Sequence, residues 1–358
     1  MKTVILLIIG LLHVLTGYVQ VEDERTAEIK EKIRQAEEKG DFKKSVKYKQ
    51  KLIKLDPGAI EYRFDLAETY LKIEKYDKTL GVLNEIIADN MDNPSVYQMK
   101  SDVYLLKENI SAAIATIEKG IEKFPDDGKL YFYAGRYAMM QKEYENALSY
   151  FEEGILKDPN YPSNYYWACK IYCSSTEEVW GLIYGELFIN IERNTSRTEE
   201  ISALLYKTLQ REIRFESDSL VTVSLCQNAN FNPQSEEQLE YGSFGQKEVE
   251  LNLIKTLSDV EYISLRTIND VRHRFIKFYM ESRDSSIYPI HALFEFHKRL
   301  IDLGHFEAYN YWLFMMGDTA SFEYWEGTNA AQWIRFLDWY QEHQLQMFDK
   351  DHFHRKHF

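Results

Sequence analysis

A recurrence every 34 residues runs from Thr26 to Thr195 and leaves few folds open to the chain. Units starting at Thr26, Ile60, Pro94, Gly128 and Pro162 carry the same residue types at the same places. The eighth position reads Ile33, Ala67, Ser101, Gly135 and Cys169, and the twentieth Ser45, Thr79, Ala113, Ala147 and Gly181. Small side chains at two such points let a pair of helix backbones approach, so each unit predicts a hairpin of helix A and helix B. Phe42, Tyr76, Ile110 and Tyr144 occupy position seventeen, just after the turn, and are expected to plug the hairpin; Glu178 stands there in the fifth unit. Pro57, Pro125 and Pro159 at position thirty-two stop helix B, because proline has no backbone N–H and its ring clashes with the preceding turn. Repeated units of this kind stack into a solenoid in which each hairpin covers the face its neighbour leaves bare.

These residues resemble the tetratricopeptide repeat family. The resemblance covers 26–195, divided 26–59, 60–93, 94–127, 128–161 and 162–195, and is nearly full in the fourth unit with Gly135, Tyr144, Ala147 and Pro159. Ile33 and Leu52 in unit one, and Glu178 and Phe188 in unit five, depart from the pattern. The resemblance implies an all-α, right-handed helical-hairpin solenoid, and a non-enzymatic adaptor or scaffold that binds a protein or peptide in the groove lined by helix A. The family's carboxylate clamp uses an asparagine at position nine. That position reads Arg34, Glu68, Asp102, Arg136 and Lys170 here, so the clamp is not carried over.

One end of the expected groove is acidic, through Glu68 and Asp102, and the other is aromatic and basic, through Phe132, Tyr133, Arg136, Tyr166, Trp167 and Lys170. These eight are the candidate partner-binding residues. The rings offer stacking and cation–π contact, and Arg136 and Lys170 can pair with an acidic group on an extended peptide. The alternative is that the same rings pack against the C-terminal region folded back over the groove. Cys173 and Ser174 are also expected to face outward.

Residues 1–20 read as a secretory signal peptide, since the apolar run from Val4 to Leu12 is too short to span a bilayer. Cleavage near 17–20 predicts an exported protein, periplasmic or secreted, without stable membrane insertion. With 57 acidic against 43 basic residues, the net charge of −14 argues against nucleic-acid binding, which needs clustered cations to displace counterions.

The region 196–358 reads as mainly helical. A helix is expected over 201–213, a single strand around Val221, Val223 and Leu225, and a loop at 227–246 interrupted near 236–241. Helical spacing then returns, with a hairpin at 290–317 and a final pair at 319–325 and 329–344 that places Trp333, Phe336, Leu337 and Tyr340 inward. Trp312, Trp325, Trp333 and Trp339 support a second reading, a carbohydrate or small-ligand binder, because flat rings suit sugar stacking. No cofactor motif or catalytic constellation is present. His352, His354 and His357, beside Asp349 and Asp351, are the one set with the chemistry of metal ligands, but a set at a chain end is a poor metal site. Cys169 and Cys173 lie one helical turn apart, where a disulfide would be strained.

Overall fold

The structure, a computed structural model, describes residues 24–217, 220–226, 244–282, 289–348 and 351–358. The expected signal peptide and most of the expected 227–246 loop, with its short helix, lie outside the described residues. The described residues are all-α apart from one two-stranded ribbon, and the chain divides into two compact units after Gly120.

The first unit holds α1 (Glu24–Glu38) with α2 (Phe42–Leu55), α3 (Ile60–Lys72) with α4 (Tyr76–Ala88), and α5 (Pro94–Leu106) with most of α6 (Ile110–Lys123), whose last turn passes Gly120. The small residues do what their size dictates. Ala67, Ser101, Ser45, Thr79 and Ala113 are wholly buried, and the Ser101 hydroxyl donates to the Ala113 carbonyl at 3.1 Å. Pro57 stands two residues beyond Leu55, where a helix has already ended. Position seventeen departs from expectation. Ile110 is 40% exposed, so it covers the hairpin's edge instead of plugging it. Lys49 is the first unit's buried charge, and Glu37 at 2.7 Å and Asp65 at 2.6 Å neutralise it.

The second unit opens with two more hairpins, α7 (Gly128–Met140) with α8 (Tyr144–Lys157) and α9 (Pro162–Tyr172) with α10 (Glu178–Ile191). Helix starts at 60, 94, 128 and 162, and at 42, 76, 110, 144 and 178, keep the 34-residue spacing. Gly135 lies against the buried Phe151 ring, and a Cβ there would come within 2.4 Å of it. Gly135→Leu is therefore expected to cost about 1–3 kcal/mol by overpacking. Denaturant melts followed by tryptophan fluorescence would measure it, and an unchanged midpoint would place Gly135 outside the helix crossing. Tyr144 at position seventeen is 54% exposed, a second correction to the expected plug.

The rest of the second unit is built around α10. A helix apolar on all sides must be buried on all sides, and every residue of α10 except Leu182 and Ile191 is buried. One face packs on α9 as helix B of the fifth hairpin. The other receives α11 (Ser196–Glu212), which Thr195 starts with a capping box. Helix α13 (Leu265–Ser282) and the hairpin of α14 (Ala292–Asp302) with α15 (Phe306–Phe314) follow, then α16 (Thr319–Thr328) and α17 (Ala330–Glu342). Between α11 and α13 run β1 (Ile213–Ser217), β2 (Leu220–Val223), a π-helical turn over Gly245–Glu250 and the short α12 (Leu251–Ile254). The expected lone strand is thus half of an antiparallel pair, with Ile213 opposite Val223, and the expected helix ends one residue short of Ile213 because β1 begins there. Of the final pair, Phe336 and Tyr340 are buried, while Trp333 and Leu337 are half-buried against the same core.

Cys173 does not face outward. It is wholly buried with Cys169, the two sulfurs 3.9 Å apart and unbonded, because Gly181 and Gly185 of α10 bring that helix down onto both thiols.

Candidate peptide-binding face

Two of the eight candidate residues belong to the first unit, where Glu68 on α3 is exposed and Asp102 on α5 is half-buried. The other six are on α7 and α9 in the second unit. Phe132, Tyr133 and Arg136 form one cluster on α7: the two rings meet edge to face at 5.8 Å, and the Arg136 guanidinium lies 5.6 Å from one ring and 5.5 Å from the other. No carboxylate among the described residues pairs with Arg136. That leaves a half-buried cation over aromatic faces with its hydrogen-bonding edges free.

Tyr166, Trp167 and Lys170 form the second cluster, and α11 has already claimed part of it. Glu200 accepts hydrogen bonds from the Tyr166 hydroxyl at 2.5 Å and from Lys170 Nζ at 2.6 Å. Lys170, then Tyr166, hold the Glu200 carboxyl below its ordinary range. Arg197 covers the Tyr166 ring from 5.0 Å. Tyr166, expected to be open to a ligand, is 7% exposed because these α11 side chains close over it. Trp167 remains half-buried, stacked at 15° on Phe151 with Lys170 5.1 Å above its ring.

Trp167 and Lys170 border a surface groove of about 720 Å³, with Met139, Leu148 and Tyr144 supplying apolar and aromatic wall and Arg355 closing one side. Arg355 reaches the groove because its guanidinium grips the buried Glu152 of α8 through two hydrogen bonds, at 2.9 and 3.0 Å. Tyr172 also donates to Glu152, at 2.8 Å. Burial would raise the Glu152 carboxyl, yet Arg355 outweighs it and holds the group low. The segment 351–358 is thereby pinned to the repeat helices. Glu152 and Arg355 carry little signal in the sequence: Glu152-Glu153 looks like a solvated pair, and their partner lies 203 residues on.

Of the rings proposed as sugar platforms, Trp312 and Trp325 are buried and Trp333 and Trp339 half-buried. Trp325 lies on Tyr311 at 4.4 Å, Trp339 on His343 at 4.6 Å, and Trp312 against Tyr340 at 4.9 Å. His354 is wholly buried, with Nδ1 accepting from the Lys356 backbone N–H at 3.0 Å, so it does not join His352 and His357 in a shared cluster of ligands. Among the described residues no group of three or more His, Cys, Asp or Glu side chains is placed to hold a metal ion, and no helix is long and apolar enough to cross a membrane.

Successive two-helix hairpins with small residues at their crossings define a helical-repeat scaffold. Residues 99–164 match the tetratricopeptide repeat family. Among solved structures, MamA is 18% identical over 44% of this chain and 93% of its own, with a TM-score of 0.37. MamA from Desulfovibrio magneticus RS-1 is 11% identical over 48% of this chain and 95% of its own, with a TM-score of 0.35. YrrB, described as a tetratricopeptide repeat protein with an unusual peptide-binding site, is 18% identical over 46% of this chain and 85% of its own, with a TM-score of 0.34. No curated protein matches the sequence.

Proposed function

We propose that the protein is a non-enzymatic adaptor that binds an extended segment of a protein partner on the α7–α9 face of its second unit, and that it works outside the cytoplasm after export. The observation that carries this reading is the pairing of an unneutralised cation with an open groove. Arg136 precedes Met139 by three residues on α7, so both lie on one helix face. A peptide carboxylate on Arg136 would thus continue into the groove walled by Met139, Leu148 and Trp167, where an apolar side chain can lose its water. Lys170 and Arg355 have carboxylate partners already, so they shape the groove and contribute little attraction.

Cross-linking capture from an envelope fraction, repeated with Arg136→Glu and with Trp167→Ala, tests this proposal. Both side chains are half-buried and neither holds an ion pair, so helical content should be unchanged. A partner retained by the wild type and lost by at least tenfold from each variant is the expected result. Equal recovery by all three proteins would remove the α7–α9 face from the interaction. Enrichment of the partner in the cytosol instead of the envelope would overturn the export reading alone.

A further inference from the structure

A second hollow, partly open to solvent, lies in the second unit away from the groove. It measures about 90 Å³, between α10, α11, α13 and α14, and its wall is apolar, with Ile183, Leu209, Leu253 and Phe275 among the lining side chains. Three polar side chains interrupt that wall: Glu186, Arg272 and His297.

The hydrogen bonding of these three is one-sided. Glu186 accepts from Arg272 Nη2 at 2.6 Å, from His297 Nε2 at 2.6 Å and from the Tyr309 hydroxyl at 2.7 Å, and every one of these bonds ends on the same oxygen, Oε1. Arg272 in turn is engaged through Nη2 only, its faces lying 5.7 Å from the Phe306 ring and 5.2 Å from the Phe314 ring. Glu186 Oε2 and the remaining Arg272 N–H groups are thus an acceptor and donors without protein partners at the wall of an apolar hollow. These atoms are open to the hollow, and a single group that both donates and accepts would engage them together.

We propose that this cavity binds a small uncharged amphiphile, a short branched alcohol or primary amide, with its polar head on Glu186 Oε2 and Arg272 and its hydrocarbon body against Leu209, Leu253 and Phe275. The charge count selects the head. Glu186 and Arg272 cancel, and His297 is kept neutral by burial, so an ionised ligand would enter as an uncompensated charge. The volume selects the body. An apolar cavity of about 150 Å³ accommodates benzene, so 90 Å³ suits roughly four to six non-hydrogen atoms. Water alone could meet the polar wall, but it would leave the larger apolar surface wet.

The full chain would be titrated calorimetrically with 2-methyl-1-propanol, isobutyramide, isobutyrate and isobutylamine, and under xenon pressure. The alcohol and the amide are expected to bind saturably and at least tenfold more tightly than either ion. Leu209→Phe and Leu253→Phe each fill the hollow from a different side, and whichever of them keeps the wild-type circular dichroism should abolish binding. Glu186 and Arg272 stay intact in both variants, so loss of binding would report lost volume. No saturable binding of alcohol or amide by the wild type, a preference for either ion, xenon binding without alcohol binding, or undiminished binding by a folded filled variant would each overturn the proposal.

Discussion

Arg272→Met is expected to destabilise the second unit by about 3–5 kcal/mol, the usual cost of stranding one member of a buried ion pair. Glu186 sits on the almost wholly buried α10, with its side chain 8% exposed, and Arg272 reaches it from α13 with 13% exposure. Burial would raise the Glu186 carboxyl. Arg272 first, and His297 after it, hold it down to about 2. Removing the guanidinium leaves that carboxylate with two neutral donors, His297 and Tyr309, and no cation to balance its charge. Methionine keeps the packing against Phe306 and Phe314, so the loss measures charge and not volume. All six tryptophans, Trp167, Trp180, Trp312, Trp325, Trp333 and Trp339, lie beyond Gly120, so their fluorescence in a urea melt follows the second unit alone. The double variant Glu186→Gln/Arg272→Met should recover most of the loss, since a neutral amide can still accept from His297 and Tyr309. A loss below about 1 kcal/mol in the single variant would mean that the pair is far better hydrated than its burial implies.

The contrast between the two kinds of feature explains what could be read from the sequence. The hairpins were legible because their determinants recur: the small residues at positions eight and twenty and the prolines after helix B are each stated several times, and repetition separates signal from chance. Phe188 looked like a departure from the repeat, and the structure gives the reason for it. Helix α10 is helix B of the fifth hairpin and also the centre of the following core, so its second face had to become apolar. The run from Val179 to Ile191, with Glu186 as its only charge, stated this in the sequence, since a solvated helix would show a polar face.

The candidate site was legible only in part, for a related reason. Position in the repeat places Phe132, Tyr133 and Arg136 on one helix face, and they do cluster. It does not reveal that Glu200 and Arg197, some thirty residues further on, take Tyr166 and Lys170 as partners. Such contacts depend on how α11 turns back after Thr195, which no local pattern encodes. For that reason Tyr166→Ala would confound binding with stability, whereas Arg136→Glu would not.

Acid should unfold the second unit unevenly, with a shallow loss of stability from pH 7 to about 5 and a steeper one below about 4.5. Burial, then His297 and His357, pushes His291 from 6.5 down to about 3, against a weaker upward pull from Glu186. Burial pushes His354 down to about 4, with Glu152 opposing and His357, Lys356 and Arg355 assisting. A histidine whose folded value lies below its unfolded one favours folding above pH 6.5 and loses that contribution as pH falls toward the folded value. Each unit of difference is worth about 1.4 kcal/mol, so His291 alone accounts for on the order of 4 kcal/mol by pH 3. Glu186, held at about 2, contributes with the same sign, from its ordinary 4.5 downward. Glu250 opposes them. Burial raises its carboxyl from 4.5 to about 7, so its contribution is present below 4.5 and is lost as pH rises through 7. Between pH 7 and 5 acidification therefore gains from Glu250 part of what it loses at the histidines, though the partial exposure of Glu250 makes its share smaller than the shift suggests. Below 4.5 that gain is exhausted while His291 and Glu186 still titrate. His291→Phe isolates the largest histidine share. Phenylalanine suits the ring cluster of Trp180, Phe244, Phe294 and Phe358, and it gives up the Nδ1 cap on the Leu293 N–H, a loss of about 1 kcal/mol at neutral pH. From pH 6 to 4 its stability should fall less steeply than that of the wild type, by about 1.4 kcal/mol per pH unit. Parallel acid limbs in the two proteins would show that His291 takes up its proton in the folded state at no cost, and the enclosure of that ring would then be wrong.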